Sequence, residues 1–299
     1  MSTPALYFPD TLADAADILD AYDGTAKVVA GGTALTLLLQ QRLVAPQALV
    51  SLRDVPGLRD VTYADGVMRF GALVSHSDVA RHPEVHRRLP LLAESFAVVG
   101  NAQVRAAATV GGVLAEADYA SDPPAALLAL DAEAIVHGPE GDRRIGMRDL
   151  VIGFYQTALS PSEILRETVV PVPPAAAGSA YLKYTARSRE DRPCVGAAAL
   201  VRLAGDGTCA ELRLAVGAAT DVPVRLPEVE RSAIGRGLDE SVLAELGDAY
   251  ADGIEPLVDV RGSAWYRREM VRVWARRAIG LARERCAGEQ SAMGNGSAQ

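Results

Sequence analysis

Two stretches of this chain pair glycines with a hydroxyl residue, in the way a polypeptide binds an anion. The first, Val28-Val29-Ala30-Gly31-Gly32-Thr33-Ala34-Leu35, leads from two β-formers through adjacent glycines into the leucine-rich Thr36-Leu37-Leu38-Leu39-Gln40-Gln41. It reads as strand, tight turn and helix start. Glycine lets the main chain approach a ligand closely, and the free first-turn amides at the positive end of a helix favour a phosphate. The second stretch, Thr109-Val110-Gly111-Gly112-Val113-Leu114-Ala115, has similar chemistry. Two such turns could hold the two phosphates of one dinucleotide. A lone Gly-Gly is more often only a turn, and neither G-x-G-x-x-G nor a phosphate-loop lysine motif is present. It is the second segment that tips the reading toward binding. A third candidate is Asp122, just before Pro123-Pro124. Its carboxylate either accepts hydrogen bonds from ligand hydroxyls or caps the next helix, with Pro123 at the first helical position. Both roles can coexist.

The composition excludes several classes. With 299 residues, 49% apolar and 23% charged, the chain can bury a substantial core in two or three compact units. A formal charge of −8 argues against a nucleic-acid surface, which needs clustered Lys and Arg. Cys194, Cys209 and Cys286 form no C-x-x-C, so no zinc site or iron–sulfur cluster is expected within the chain. His76, His82 and His86 invite a metal reading, but His82 precedes Pro83 in an expected loop and no cysteine joins them, so metal is not expected. Met1 to Asp10 show no basic patch followed by an apolar run, and no apolar stretch elsewhere is long enough to span a bilayer, so the cytoplasm is the expected location.

The elements that must position these residues follow from periodicity. Leu12, Ala15, Ala16 and Leu19 mark an amphipathic helix over 11–22, then a strand over 27–30, a helix to about Arg42 and a strand over 48–52. Asp65-Gly66 marks a hairpin between strands at 60–63 and 67–70. A Ser or Asp cap near Ser75 starts a further helix, and others are expected at 89–99 and 125–130. Strands at 134–137 and 143–145 form a second hairpin, and Pro171 to Gly178 reads as a linker. Beyond it lie strands at 180–186, 196–203 and 210–216, then helices at 227–230, 240–251 and 265–285. The expected domains are 1–174, divided at about residue 56, then 178–286, and a disordered Gly/Ser/Asn/Gln-rich tail over 287–299.

In order and spacing, these pieces resemble the FAD-binding medium subunit of the molybdenum hydroxylases. This is the family of the carbon monoxide dehydrogenase flavoprotein and of the flavin domain of xanthine dehydrogenase. The likeness spans nearly the whole chain. It rests on Ala30-Gly31-Gly32-Thr33, on Thr109-Val110-Gly111-Gly112 and on Ala120-Ser121-Asp122-Pro123-Pro124-Ala125. It rests further on Tyr181-Leu182-Lys183-Tyr184 with Arg187, and on Ile254-Glu255-Pro256 through Asp259-Val260-Arg261-Gly262-Ser263 to Tyr266-Arg267-Arg268. The resemblance implies an α+β chain. Its first part is a vanillyl-alcohol-oxidase or PCMH-type FAD-binding domain of two α/β subdomains. A small C-terminal domain follows, with a three-stranded antiparallel sheet and helices. It also implies an FAD site of Val29, Ala30, Gly31, Gly32, Thr33, Ala34, Thr109, Gly111, Gly112, Asp122 and Lys183. In that site the glycine turns hold the pyrophosphate, Asp122 meets the sugar-like portion, and Lys183 lies near the flavin. A cation there stabilises a reduced, anionic flavin; Lys183 is otherwise an exposed strand charge. The chain departs from the family pattern at Thr33, usually His or Asn, which keeps a hydroxyl, and at Val113, usually Asn, which removes a side-chain hydrogen-bond partner.

On this resemblance the chain is an oxidoreductase subunit that does not itself oxidise the organic substrate. A large subunit with a molybdopterin centre and a small one with two [2Fe–2S] clusters are the implied partners, arranged as a dimer of heterotrimers. Electrons would pass from molybdenum through iron–sulfur to FAD and on to an external acceptor, with no catalytic general base in this chain. The alternatives are a stand-alone FAD oxidoreductase acting on a small molecule and a scaffold subunit without flavin.

Overall fold

The computed structural model describes residues 3–296, with side chains described as far as residue 287. Contacts divide the chain into two compact units, residues 1–79, 101–118 and 132–171 in the first and 80–100, 119–131 and 172–299 in the second. A single boundary at the proline-rich linker would leave 80–100 and 119–131 in the first unit. The helices of those two segments bury their apolar faces with the second unit instead.

The first unit opens with β1 (Ala5–Tyr7), α1 (Leu12–Ala21), β2 (Ala26–Val29), α2 (Thr33–Gln40) and β3 (Ala48–Ser51). Thr11 caps α1 by accepting from Asp14 N at 3.1 Å, and Ala15, Ala16 and Leu19 are buried. The strands form a parallel sheet in the order β1-β3-β2, with the apolar β3 in the middle. β4 (Val61–Ala64) and β5 (Val67–Gly71) then form the hairpin turned by Asp65 and Gly66, both at positive φ.

Short helices follow β5 along the chain. α3 (His76–Arg81) is capped by Ser75, whose hydroxyl accepts from Asp78 N at 3.0 Å. α4 (Pro83–Arg88) and α5 (Pro90–Ala97) each begin on proline, where no amide partner is needed. His82 lies in the one-residue break between α3 and α4 with extended backbone, so the loop expected there is short. α6 (Ala102–Ala107) is capped by Asn101, α7 (Val110–Glu116) by Thr109, and α8 (Pro123–Ala129) follows. Next come β6 (Glu133–Gly138), β7 (Gly141–Gly146), α9 (Met147–Leu150), β8 (Val151–Gly153), β9 (Gln156–Thr157) and β10 (Ile164–Pro171). The antiparallel sheet has the order β4-β5-β10-β6-β7. Its central strand, β10, has no counterpart in the sequence expectations, because both partner strands lie far from it along the chain.

The second unit is a sheet of β11 (Ala177–Tyr184), β12 (Val195–Leu203), β13 (Cys209–Gly217) and β14 (Val224–Arg225), in that order. The expected three strands thus gain a fourth of two residues, too short to carry a periodic signal. α10 (Pro227–Ser232), α11 (Glu240–Asp252) and α12 (Ala264–Gly296) complete it. α12 packs on β11 and β12, α8 on β12 and β13, and α5 along β11. The edge amide of Tyr181 donates to the Glu94 carboxylate of α5 at 2.9 Å, so that edge is protected. α12 continues to Gly296, where disorder from 287 is expected; extending an existing helix through Ala, Glu, Gln and Met costs little per residue. Residues 297–299 of that tail lie outside the described residues.

The C-terminal motif turns out to be a staple. Arg267 is fully buried and donates to the Cys194 carbonyl at 2.6 Å and to the Ala218 carbonyl, while pairing with Asp259. It therefore ties the start of β12 and the end of β13 to the loop before α12. Tyr119 donates to Asp259 at 2.9 Å, and Arg261 donates to the Tyr119 hydroxyl at 3.0 Å, anchoring the segment that leads to Asp122.

Candidate cofactor site

The first glycine pair turns β2 into α2, and each glycine has its own reason. A Cβ on Gly31 would lie 1.8 Å from the Ala107 carbonyl oxygen, so no other residue lets this strand end pass the stretch before Thr109 so closely. Gly32 caps α2 at φ 71, the left-handed region, and a Cβ there would meet only Thr36 Oγ1, at 3.6 Å. As a cap, Gly32 brings no side-chain acceptor. The first amide of this helix with an acceptor is Thr36 N, which donates to Gly32 O at 3.0 Å. No group among the described residues accepts from the amides of Gly31, Gly32, Thr33, Ala34 or Leu35. These consecutive donors are half-buried and lie at the positive end of α2, the arrangement that suits an oxyanion.

The second pair differs from the bare turn expected of it. Thr109 caps α7, and its hydroxyl oxygen accepts from Gly112 N at 3.0 Å. Val110 N donates to Val74 O and Gly111 N to Ala72 O, both at 2.9 Å. These three amides are therefore engaged, because the start of α7 docks on the chain leaving β5. Glycine at 111 is a packing requirement: its Cβ would fall 2.6 Å from that of Ala72. The two glycine segments nevertheless meet, since a Cβ on Gly112 would sit 3.9 Å from Ala30 Cβ. Thr109, having accepted one hydrogen bond, keeps its hydroxyl proton free to donate.

His76 braces this junction from below, a role that sequence reasoning missed. It is buried, and its Nε2–H donates to the Thr109 carbonyl at 3.2 Å. Burial lowers its pKa from the usual 6.5 to about 4. Between those values the unfolded chain binds the ring proton and the native chain does not, so stability falls as the pH drops through this window. The sensitivity is on the order of 3 kcal/mol. His76→Gln, which keeps a donor for Thr109, is expected to remove this part of the acid sensitivity. Urea unfolding of both chains at about pH 7 and about pH 4.5 measures it, and an unchanged acid loss in the variant would refute it.

The remaining candidates, Asp122 and Lys183, belong to the second unit. Asp122 stands at the start of α8 but caps nothing with its side chain. Its carboxylate accepts from the Tyr181 hydroxyl at 2.8 Å and from Lys183 Nζ at 3.0 Å. Lys183 also donates to the Val98 carbonyl at 2.9 Å. With side chains 6% and 3% exposed, Lys183 and Asp122 form a buried ion pair, so Lys183 is no exposed strand charge. Burial pushes the Asp122 carboxyl up to about 6, with Lys183 and Tyr181 opposing the rise. Each Asp122 oxygen keeps a lone pair and Lys183 a third proton, so the pair can still bind a ligand hydroxyl or carbonyl. Tyr181 and the Val98 carbonyl are the partners that the linear sequence did not reveal.

Residues 2–173 match the family described as the FAD binding domain in molybdopterin dehydrogenase, and residues 180–282 the CO dehydrogenase flavoprotein C-terminal domain. The chain belongs to the FAD-binding medium subunits of the molybdenum hydroxylases. It is 33% identical to the 6-hydroxypseudooxynicotine dehydrogenase complex subunit alpha of Paenarthrobacter nicotinovorans, over 87% of this chain and 88% of that one. A solved carbon monoxide dehydrogenase from Hydrogenophaga pseudoflava superposes with a TM-score of 0.92 at 30% identity, covering 95% of this chain and 99% of that chain. Quinoline 2-oxidoreductase from Pseudomonas putida 86 gives 0.89 at 30% identity, covering 95% and 98%. A member of this family is an oxidoreductase subunit whose cofactor is FAD and whose work is electron transfer. The family's two-part fold, an FAD-binding domain followed by a flavoprotein C-terminal domain, is the fold of this chain. The free amides at the start of α2 fit a diphosphate, a test that does not depend on the likeness.

Proposed function

We propose that this chain is the flavin relay of a molybdenum hydroxylase complex, anchoring FAD by its diphosphate on the open amides of Gly31 to Leu35. The observation that carries this reading is the run of five unpartnered donors at a helix start, braced by the second glycine segment. Val29 and Ala30 bring the strand to that turn, Thr33 adds a hydroxyl, and Ala34 leaves its amide unshielded. Thr109 contributes a hydroxyl donor, while Gly111 and Gly112 let α7 approach. Asp122 accepts from hydroxyls of the sugar-like part of the cofactor, and Lys183 donates near the flavin ring. Because Asp122 neutralises Lys183, the pair offers hydrogen bonds with little net charge. FAD, when bound, exchanges electrons singly or in pairs; the chain binds it, orients it and shields it.

The partners we propose are a large molybdopterin subunit and a small [2Fe–2S] subunit, assembled as a dimer of heterotrimers, with electrons leaving through FAD to an external acceptor. Support comes from relatives whose names mark them as subunits or medium chains of larger enzymes. No described helix is long and apolar enough to cross a membrane. Three buried free cysteines suit a reducing compartment, and we assign the chain to the cytoplasm. Expression of the chain alone is expected to yield protein with a flavin visible spectrum, and expression with its genomic neighbours is expected to bring down two further chains. A colourless protein that takes up no added FAD would overturn the cofactor assignment. A yellow protein that oxidises a small molecule unaided would overturn the relay role.

A further inference from the structure

We infer that Tyr181 is a positioning residue of the cofactor site, its hydroxyl holding the Asp122 carboxylate in the one orientation and charge state in which it can receive a ligand hydroxyl. This rests on the FAD reading and adds to it a residue that the site did not include. The tyrosine ring is buried, and its hydroxyl donates to one carboxylate oxygen while Lys183 donates to the other. The two donors come from alternate residues of one strand, β11, so their spacing fixes the plane of the carboxylate between them.

The strand itself is immobilised. The Tyr181 amide is held by Glu94 of α5, and Glu94 is held by Arg285 of α12 at 2.7 Å. The groups that face Asp122 are therefore Tyr181 and Lys183 of β11, the Val98 carbonyl through Lys183, and the first turn of its own helix α8. Glu94 and Arg285 stand behind Tyr181. In this setting the Tyr181 proton is more than a structural contact. It favours the carboxylate over the acid against a burial that has already pushed Asp122 up to about 6. Tyr181 cannot itself supply a charge, since burial and Asp122 raise its hydroxyl well above the usual tyrosine range.

The test compares wild type, Tyr181→Phe and Tyr250→Phe. Tyr250 is a control: it too is buried, and its hydroxyl donates to Leu214 O at 2.6 Å in a purely structural network. Two readouts are followed between about pH 5 and about pH 9: the carboxyl carbon-13 shift of Asp122 in apoprotein, and the Kd for added FAD. In Tyr181→Phe the Asp122 midpoint is expected to move up, and the acid limb of FAD affinity should move with it by about one pH unit. That equals roughly a tenfold weaker Kd on the limb, with near wild-type affinity at the alkaline end. Tyr250→Phe should lower the melting temperature without moving either curve. If Tyr181→Phe fails to fold, 3-fluorotyrosine in place of Tyr181, a stronger donor, should move both curves to lower pH. An unmoved Asp122 midpoint, or an affinity loss equal at every pH, overturns the inference. A wild-type chain that binds no FAD at any pH overturns the functional reading itself, and the carboxyl titration still decides the contact.

Discussion

Gly32→Asp is expected to strip the chain of flavin while leaving it folded. At φ 71 an aspartate costs on the order of 1 kcal/mol of backbone strain, and Asp is among the residues that tolerate this region best. Its Cβ would meet nothing closer than Thr36 Oγ1 at 3.6 Å, so no clash adds to that cost. The carboxylate becomes a helix cap, accepting from the amides of Ala34 or Leu35 and offsetting the strain by about 1 kcal/mol. The same contact occupies the donors we assign to the diphosphate and places a negative charge against it. The expected result is a flavin-to-protein ratio falling from near one to near zero, with unfolding little changed. Gly32→Ala, which brings the strain without the charge, should keep most of its flavin. Stoichiometric flavin in Gly32→Asp would remove the α2 amides from the site.

Lys183→Met is expected to have the larger effect on stability. Removing the lysine leaves the Asp122 carboxylate buried with only the Tyr181 hydroxyl as a donor, and breaking a buried pair from one side costs about 3–5 kcal/mol. The loss should depend on pH with a definite sign. Without Lys183 the Asp122 pKa, already raised in the folded chain, rises further. A raised carboxyl pKa means that the native state binds the proton more tightly than the unfolded state, so stability declines as the pH climbs through it. The variant should therefore be most impaired at about pH 8 and recover much of its deficit at about pH 5. Asp122→Asn combined with Lys183→Met should recover stability at the higher pH, since no unpaired charge remains. Denaturant unfolding of wild type, Lys183→Met and the double variant at both pH values decides the matter. A deficit indifferent to pH, or no recovery in the double variant, would mean that the pair is not the buried ion pair described.

The local elements could be read from sequence wherever their cause is local. The Asp65-Gly66 turn, the Thr11 cap of α1 and the Gly31-Gly32 turn into α2 each depend on a few adjacent residues, and each lies near where those residues put it. The second glycine segment was misread in kind. Thr109 to Gly112 shows the residue types of an open turn, but carbonyls at Ala72 and Val74, some forty residues earlier, take its amides and make it a helix start packed on the core. β10 was missed because what makes it the central strand is its pairing with β5 and β6, which nothing in Ile164–Pro171 encodes by itself.

Asp122 and Lys183 show the same division at the site. Their residue types and the family motif nominated both, but the exposed charge that Lys183 suggests on a strand became a buried partner only because β11 brings it to the start of α8. By itself the sequence determined the class of protein and the cofactor chemistry, and it located the glycine turn into α2, since these rest on residue type and short-range backbone preference. Only the tertiary structure decided which amides are free and which charges are neutralised. Hydrogen-bond satisfaction and burial are properties of neighbours in space, and here those neighbours come from segments 36 to 85 residues apart.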